Sequence, residues 1–119
     1  MNADALRDRT RRFALTVIEQ TQSLWQSGTG RVLAHQLVRS ATSVGANYRA
    51  ACRATSKKVF AHKLSIVVEE ADETVYWLEL IRDSRALAAP AIDPVLDEAN
   101  QILRIMSASL HTARTKHHD

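Results

Sequence analysis

Apolar residues recur at alternating four- and three-residue steps in four separate stretches of this chain, a rhythm that becomes a continuous face only on an amphipathic α-helix. Leu6, Thr10, Phe13, Val17, Gln20 and Leu24 hold it first, with Ala14, Ile18 and Trp25 widening the face, which predicts a helix over 4–26. Ser27-Gly28-Thr29-Gly30 then offers a glycine suited to a left-handed helix stop. Leu33, Leu37, Val44, Tyr48 and Ala51 predict a second helix over 31–53, and strict continuation of the spacing sets Ser40 and Asn47 in or beside the seam. Thr55 or Ser56 can cap a third helix, in which Phe60, Leu64, Val67, Ala71, Thr74, Leu78 and Ile81 keep the pattern without a slip. That helix is expected to reach Ala88-Ala89-Pro90, about 30 residues or roughly 45 Å. Asp93-Pro94 resembles a helix start, a capping oxygen followed by a proline whose missing N–H costs nothing there, and Leu96, Ala99, Leu103, Met106, Leu110 and Ala113 supply the fourth face.

Short breaks between the four stretches force antiparallel neighbours. The expected fold is therefore all-α, an up-down-up-down antiparallel four-helix bundle with residues 1–119 as a single domain. Three glycines and two prolines are too few for the many tight turns of a sandwich or barrel. No apolar run approaches the length needed to cross a bilayer, and residues 1–12 are too charged for a signal peptide, so the expectation is a cytoplasmic protein without a membrane partner. The single cysteine, Cys52, excludes an internal disulfide and a cysteine-based zinc site.

The charge is unevenly spread. Residues 1–30 carry a net +1 and residues 59–119 a net −4, whereas 31–58 hold Arg31, Arg39, Arg49, Arg53, Lys57 and Lys58 with no acid, a net +6. Such asymmetry suits a polyanion, an acidic partner surface, or pairing between the two halves of the fold. Arg49, Arg53, Lys57 and Lys58 recur every one to four residues as a basic edge, with Arg11 and Arg12 on the neighbouring helix, and these six are the candidate nucleic-acid contacts. With only six aromatic residues, most of them suited to the core, binding would be electrostatic and weakly sequence-specific.

Bundles can hold two metal ions on glutamates and Glu-x-x-His pairs that project inward. Here no glutamate has a histidine three residues later, and the first two helices hold almost no carboxylates, so neither a metal nor another cofactor is expected and no catalytic residue is assigned. What stands out instead is a polar row bordering the core: Gln36, Ser40, Ser43 and Asn47, spaced four, three and four, with Arg39 beside them. Glu70, Glu73 and Trp77 form the complementary stripe on the third helix. These eight residues are expected to make a polar layer that sets the packing of helices two and three, with Asn47 and a glutamate largely buried and mutually supported. Trp25, Val38, Val68, Val75, Tyr76 and Ile102 flank the seams and make the apolar surface broader than one core needs, which points to self-association.

The run Gln36-Leu37-Val38-Arg39-Ser40 through Ser43-Val44-Gly45-Ala46-Asn47, followed by Glu70-Ala71, Glu73-Thr74 and Tyr76-Trp77-Leu78, resembles the four-helix-bundle family of 23S ribosomal RNA intervening-sequence proteins, from about Phe13 to Leu110. The family's usual Asn-x-x-Glu is altered here, with Tyr48, Arg49, Ala50 and Ala51 following Asn47. By relation to the accessory proteins of diversity-generating retroelements, the resemblance implies a ring-shaped homopentamer with a basic surface that binds nucleic acid and contacts a reverse transcriptase. It implies a binding module and not an enzyme. A protein-interaction or scaffold subunit without nucleic-acid binding is the alternative.

Overall fold

The computed structural model describes residues 1–118. Four α-helices, α1 (Ala3–Gln20), α2 (Gly28–Cys52), α3 (Lys57–Asp83) and α4 (Ala89–His118), form the expected four-helix bundle, and no strand occurs among the described residues. Each helix packs on its neighbours in the order α1, α2, α3, α4 and back to α1, in a body of 50 × 21 × 19 Å. The seam of each helix turns inward: Leu37, Leu64, Leu78, Ile81, Ile92, Ile102 and Met106 are the largest fully buried side chains. Burial of such residues, at about 25 cal/mol per Å² of apolar surface, is the main term holding the bundle together.

The first helix is shorter than its spacing predicts. Thr21 turns its hydroxyl onto the Val17 carbonyl at 2.8 Å, and the chain tightens into a 3-10 helix over Gln22–Gln26. That turn buries Thr21 and Leu24 and leaves Gln20, an expected seam residue, exposed. The following reversal does not use a left-handed glycine, because no glycine has positive φ. Ser27 instead caps α2, its Oγ accepting from Gly30 N at 3.0 Å. Gly30 serves close approach: a Cβ there would stand 2.3 Å from the Leu24 carbonyl oxygen. Gly45 does the same more mildly in α2, where a Cβ would meet Thr10 Oγ1 at 3.3 Å and α1 lies close.

Ser56 rather than Thr55 caps α3, accepting from Val59 N at 3.1 Å. That helix runs 27 residues, or about 40 Å, and stops at Asp83, short of the expected Ala88. A paired closure ends it, with Arg85 N bonding to Arg82 O and Ala86 N to Ile81 O, both at 3.1 Å. The motif requires a left-handed residue, and Arg85 occupies that position at φ 59°. The fourth helix correspondingly starts at Ala89, ahead of Asp93-Pro94, and takes Pro94 into its second turn. Pro90 falls in the first turn, where its lack of an N–H is harmless, and the extra turn buries Ile92 against the core. Core contact by Ile92 outweighs the hydrogen bond that Pro94 cannot make.

Candidate functional site

The polar layer is built where α2 faces α3. Arg39, on α2, reaches across to two carboxylates of α3: its Nη1 lies 3.3 Å from Glu70 Oε2, and its Nη2 pairs with Glu73 Oε1. Gln36 Oε1 accepts from Arg39 Nε at 3.4 Å, and the Trp77 indole donates to Glu73 Oε1 at 3.2 Å. The Glu73 carboxyl is held below its ordinary range, first by the Arg39 guanidinium, then by the Trp77 N–H, against an opposing effect of burial. Arg39 is pushed up in turn, chiefly by Glu73. Beneath this half-exposed network lies a dry one. Thr74 Oγ1 sits 3.0 Å from Ser40 Oγ, Thr74 Oγ1 is 2.7 Å from the Glu70 carbonyl, and Ser40 Oγ is 3.2 Å from the Leu37 carbonyl. Ser40 and Thr74 are fully buried, so each hydroxyl depends on these partners.

Six of the eight expected members are thus brought together, Gln36, Arg39, Ser40, Glu70, Glu73 and Trp77, with Thr74 as the member whose place in the apolar seam disguised it. Asn47 and Ser43 are not among them. Asn47 is half-buried and its Nδ2 donates 2.9 Å to the Ser43 carbonyl of its own helix, so the expected Asn47–glutamate support is absent. Asn47 lies nearly two turns beyond Ser40, past the reach of Glu70 and Glu73. Every buried polar side-chain atom of the layer has a hydrogen-bond partner, as packing of α2 on α3 requires. Among the described residues no group of three or more His, Cys, Asp or Glu side chains could hold a metal ion.

The basic residues gather elsewhere, around the groove between α1 and α2. Arg7 and Arg11 stand on one wall and Arg49 on the other, over a floor of Ala14, Gly45 and Ala46. The groove continues past Cys52 to Arg53, and Lys57 lines the adjoining hollow at the start of α3. Arg11, Arg49, Arg53, Lys57 and Lys58 are exposed, and none has a carboxylate within 4 Å among the described residues. Arg12 stands apart from them. It lines the α1/α4 side with Phe13, Pro94 and Glu98, and its Nε lies 2.9 Å from Asp8 Oδ2. A single residue step along the helix turns position 12 about 100° away from position 11, which sends the two arginines to different flanks.

Two further clusters escaped the sequence pattern. Arg9 forks onto Glu98 at 2.8 and 2.6 Å and onto Gln101 at 2.8 Å, tying α1 to α4. An Arg and a Glu 89 residues apart carry no spacing signal. At the end of the groove Arg7 pairs with Asp4, and its charge is favoured first by the Cys52 sulfur, which accepts from the guanidinium. Burial, then the same thiol, pushes the Tyr48 hydroxyl up to about 12, so it stays neutral at physiological pH. Of the expected flanking apolar residues, Val75 and Ile102 are core, Trp25, Val38 and Val68 are half-buried against it, and Tyr76 is exposed, edge-on to Trp77 with ring centroids 5.1 Å apart.

No helix is long and apolar enough to cross a membrane among the described residues. No curated protein matches the chain. Among solved structures it is similar to a protein of unknown function from the S23 ribosomal protein family of Bacteroides thetaiotaomicron, at 29% identity and a TM-score of 0.85 over 93% of this chain and 99% of that one. The family model described as 23S rRNA-intervening sequence protein matches residues 5–108, the span that contains both the polar layer and the basic groove. The chain belongs to the family of 23S rRNA-intervening sequence proteins.

Proposed function

We propose that the protein is a non-enzymatic accessory protein that binds nucleic acid, RNA or another single strand, through the basic surface of an oligomeric bundle. The observation that carries this reading is the gathering of Arg11, Arg49, Arg53 and Lys57, with Lys58 next in the chain, as exposed cations without acidic partners among the described residues, while Arg39, from the same basic segment, is paired with Glu70 and Glu73 of α3. Cations left unpaired where others are paired are what a phosphate backbone requires. Oligomerisation belongs to the same reading, since Leu15, Ile18, Val32 and Tyr76 keep between 38% and 61% of their surface in solvent. The test is a titration of a mixed-sequence single-stranded RNA at low and moderate salt, beside sedimentation at micromolar protein. Binding that weakens steeply with salt is expected. If no RNA or DNA binds at low salt, the reading fails and a protein scaffold replaces it. A monomer in sedimentation rejects the ring.

A further inference from the structure

Resting on that reading, we infer that one nucleic-acid strand runs along the α1/α2 groove, its phosphates on Arg7, Arg11, Arg49 and Arg53 and its bases turned outward. The cations form a single track. Arg7 and Arg11 are four residues apart on α1, and Arg53 caps the C-terminus of α2 four residues after Arg49, so each pair is spaced by about one helical turn, about 6 Å. Because Gly45 lets α2 lie close to Thr10, the two walls stand near enough to flank one backbone from both sides. Beyond Arg53 the track continues to Lys57 in the adjoining hollow, so the two walls enclose one channel, the width of a single backbone.

The floor explains the outward bases. Between Arg11 and Arg49 it holds no aromatic ring on which a base could stack, Tyr48 and Phe60 lying in the hollow beyond, by Lys57, and its two hydroxyls are committed to their own helices. Thr10 Oγ1 lies 3.0 Å from both the Leu6 and Arg7 carbonyls, and Thr42 Oγ1 lies 2.7 Å from Val38 O and 3.1 Å from Arg39 O. A groove with cationic walls and no free base-reading group binds backbone and ignores sequence. Two acidic residues oppose the strand: Asp8, which lines the groove and pairs with Arg12, and Asp4, which pairs with Arg7.

Cys52 lies in the track between Arg7, Arg49 and Arg53 and is the chain's single thiol, so its alkylation rate reports occupancy of the groove directly. The experiment uses the full chain and a labelled strand of roughly eight nucleotides, short enough to read one groove. Four phosphate contacts to a single strand give a slope of log affinity on log salt of about −2.8, an affinity loss of about 50-fold between 50 and 200 mM. Arg11→Ala with Arg49→Ala should cut that loss to about 7-fold. Asp8→Asn should bind roughly two- to fivefold more tightly, whereas Arg104→Ala, an exposed cation of α4, should bind as wild type does. The strand should protect Cys52 from iodoacetamide, and a duplex of the same sequence should protect it less. If the strand binds but the double variant keeps the full salt dependence and Cys52 reacts as fast as before, the groove is not the site, although nucleic-acid binding stands. Equal protection by the duplex overturns the single-strand assignment. A failure of every nucleic acid to bind takes down the underlying reading as well.

Discussion

Ser40 and Thr74 form a buried side-chain contact between α2 and α3, and a double-mutant cycle on them tests how that layer is held. Two hydroxyls with two protons serve three short contacts, so each keeps a carbonyl of its own helix when the other is removed: Leu37 O for Ser40 and Glu70 O for Thr74. Neither single change strands a buried donor. Ser40→Ala and Thr74→Val should therefore each cost about 1 kcal/mol, the worth of one neutral hydrogen bond, and not the larger penalty of an orphaned group. With both hydroxyls gone, apolar surface meets apolar surface, and the double variant should be less destabilised than the sum of the singles by about 0.5–1 kcal/mol. For 119 residues the unfolding entropy is about 0.25 kcal/mol per degree, so each single change should lower Tm by about 4 °C. Urea melts and calorimetry at one fixed protein concentration measure both quantities, since self-association makes apparent stability concentration-dependent. Ser43→Ala, on the same helix but outside the network, is the control and should change stability by less than about 0.5 kcal/mol. Single losses indistinguishable from that control, or a coupling near zero, would refute the view that this hydroxyl pair helps set the packing of α2 on α3.

Gly30→Ala should cost about 1–3 kcal/mol in a urea melt despite alanine's better helix propensity, because the new methyl meets backbone at Leu24 and the 3-10 turn must move. Arg85→Gly should stabilise by up to about 1 kcal/mol, by relieving a side chain at φ 59° in the closure of α3, a gain readable as a higher Tm. Glu73 has a folded-state value below its ordinary 4.5, so its share of stability is full above about pH 4.5 and is lost as pH falls through the lower folded value. Glu73→Gln should accordingly flatten the stability profile on the acid side of pH 4.5 in parallel urea melts, whereas an unchanged profile would show that the Arg39 pair contributes nothing.

The four-helix class, the antiparallel order and most core-facing residues were legible in the chain because each rests on local spacing: a four-three rhythm aligns side chains on one helix whatever surrounds it, although in α4 Ile102 takes the buried place expected of Leu103. The same locality made the polar stripes on α2 and α3 visible, and their facing was predictable once the two helices were neighbours. The rest was decided by tertiary contact. Thr21 ends α1 and Ile92 extends α4 because burial at those points outweighs the propensity of the segment, which no local pattern records. Asn47 left the polar layer because its distance along α2 exceeds the reach of the α3 carboxylates, a matter of register between helices. Arg12 and Arg11, adjacent in the chain, went to opposite flanks of α1, and Arg9 found Glu98 across the closed ring, because which face meets which neighbour is set only when all four helices pack. Helix spacing determines what each helix shows; packing determines what that face meets, and the basic groove exists only as a product of both.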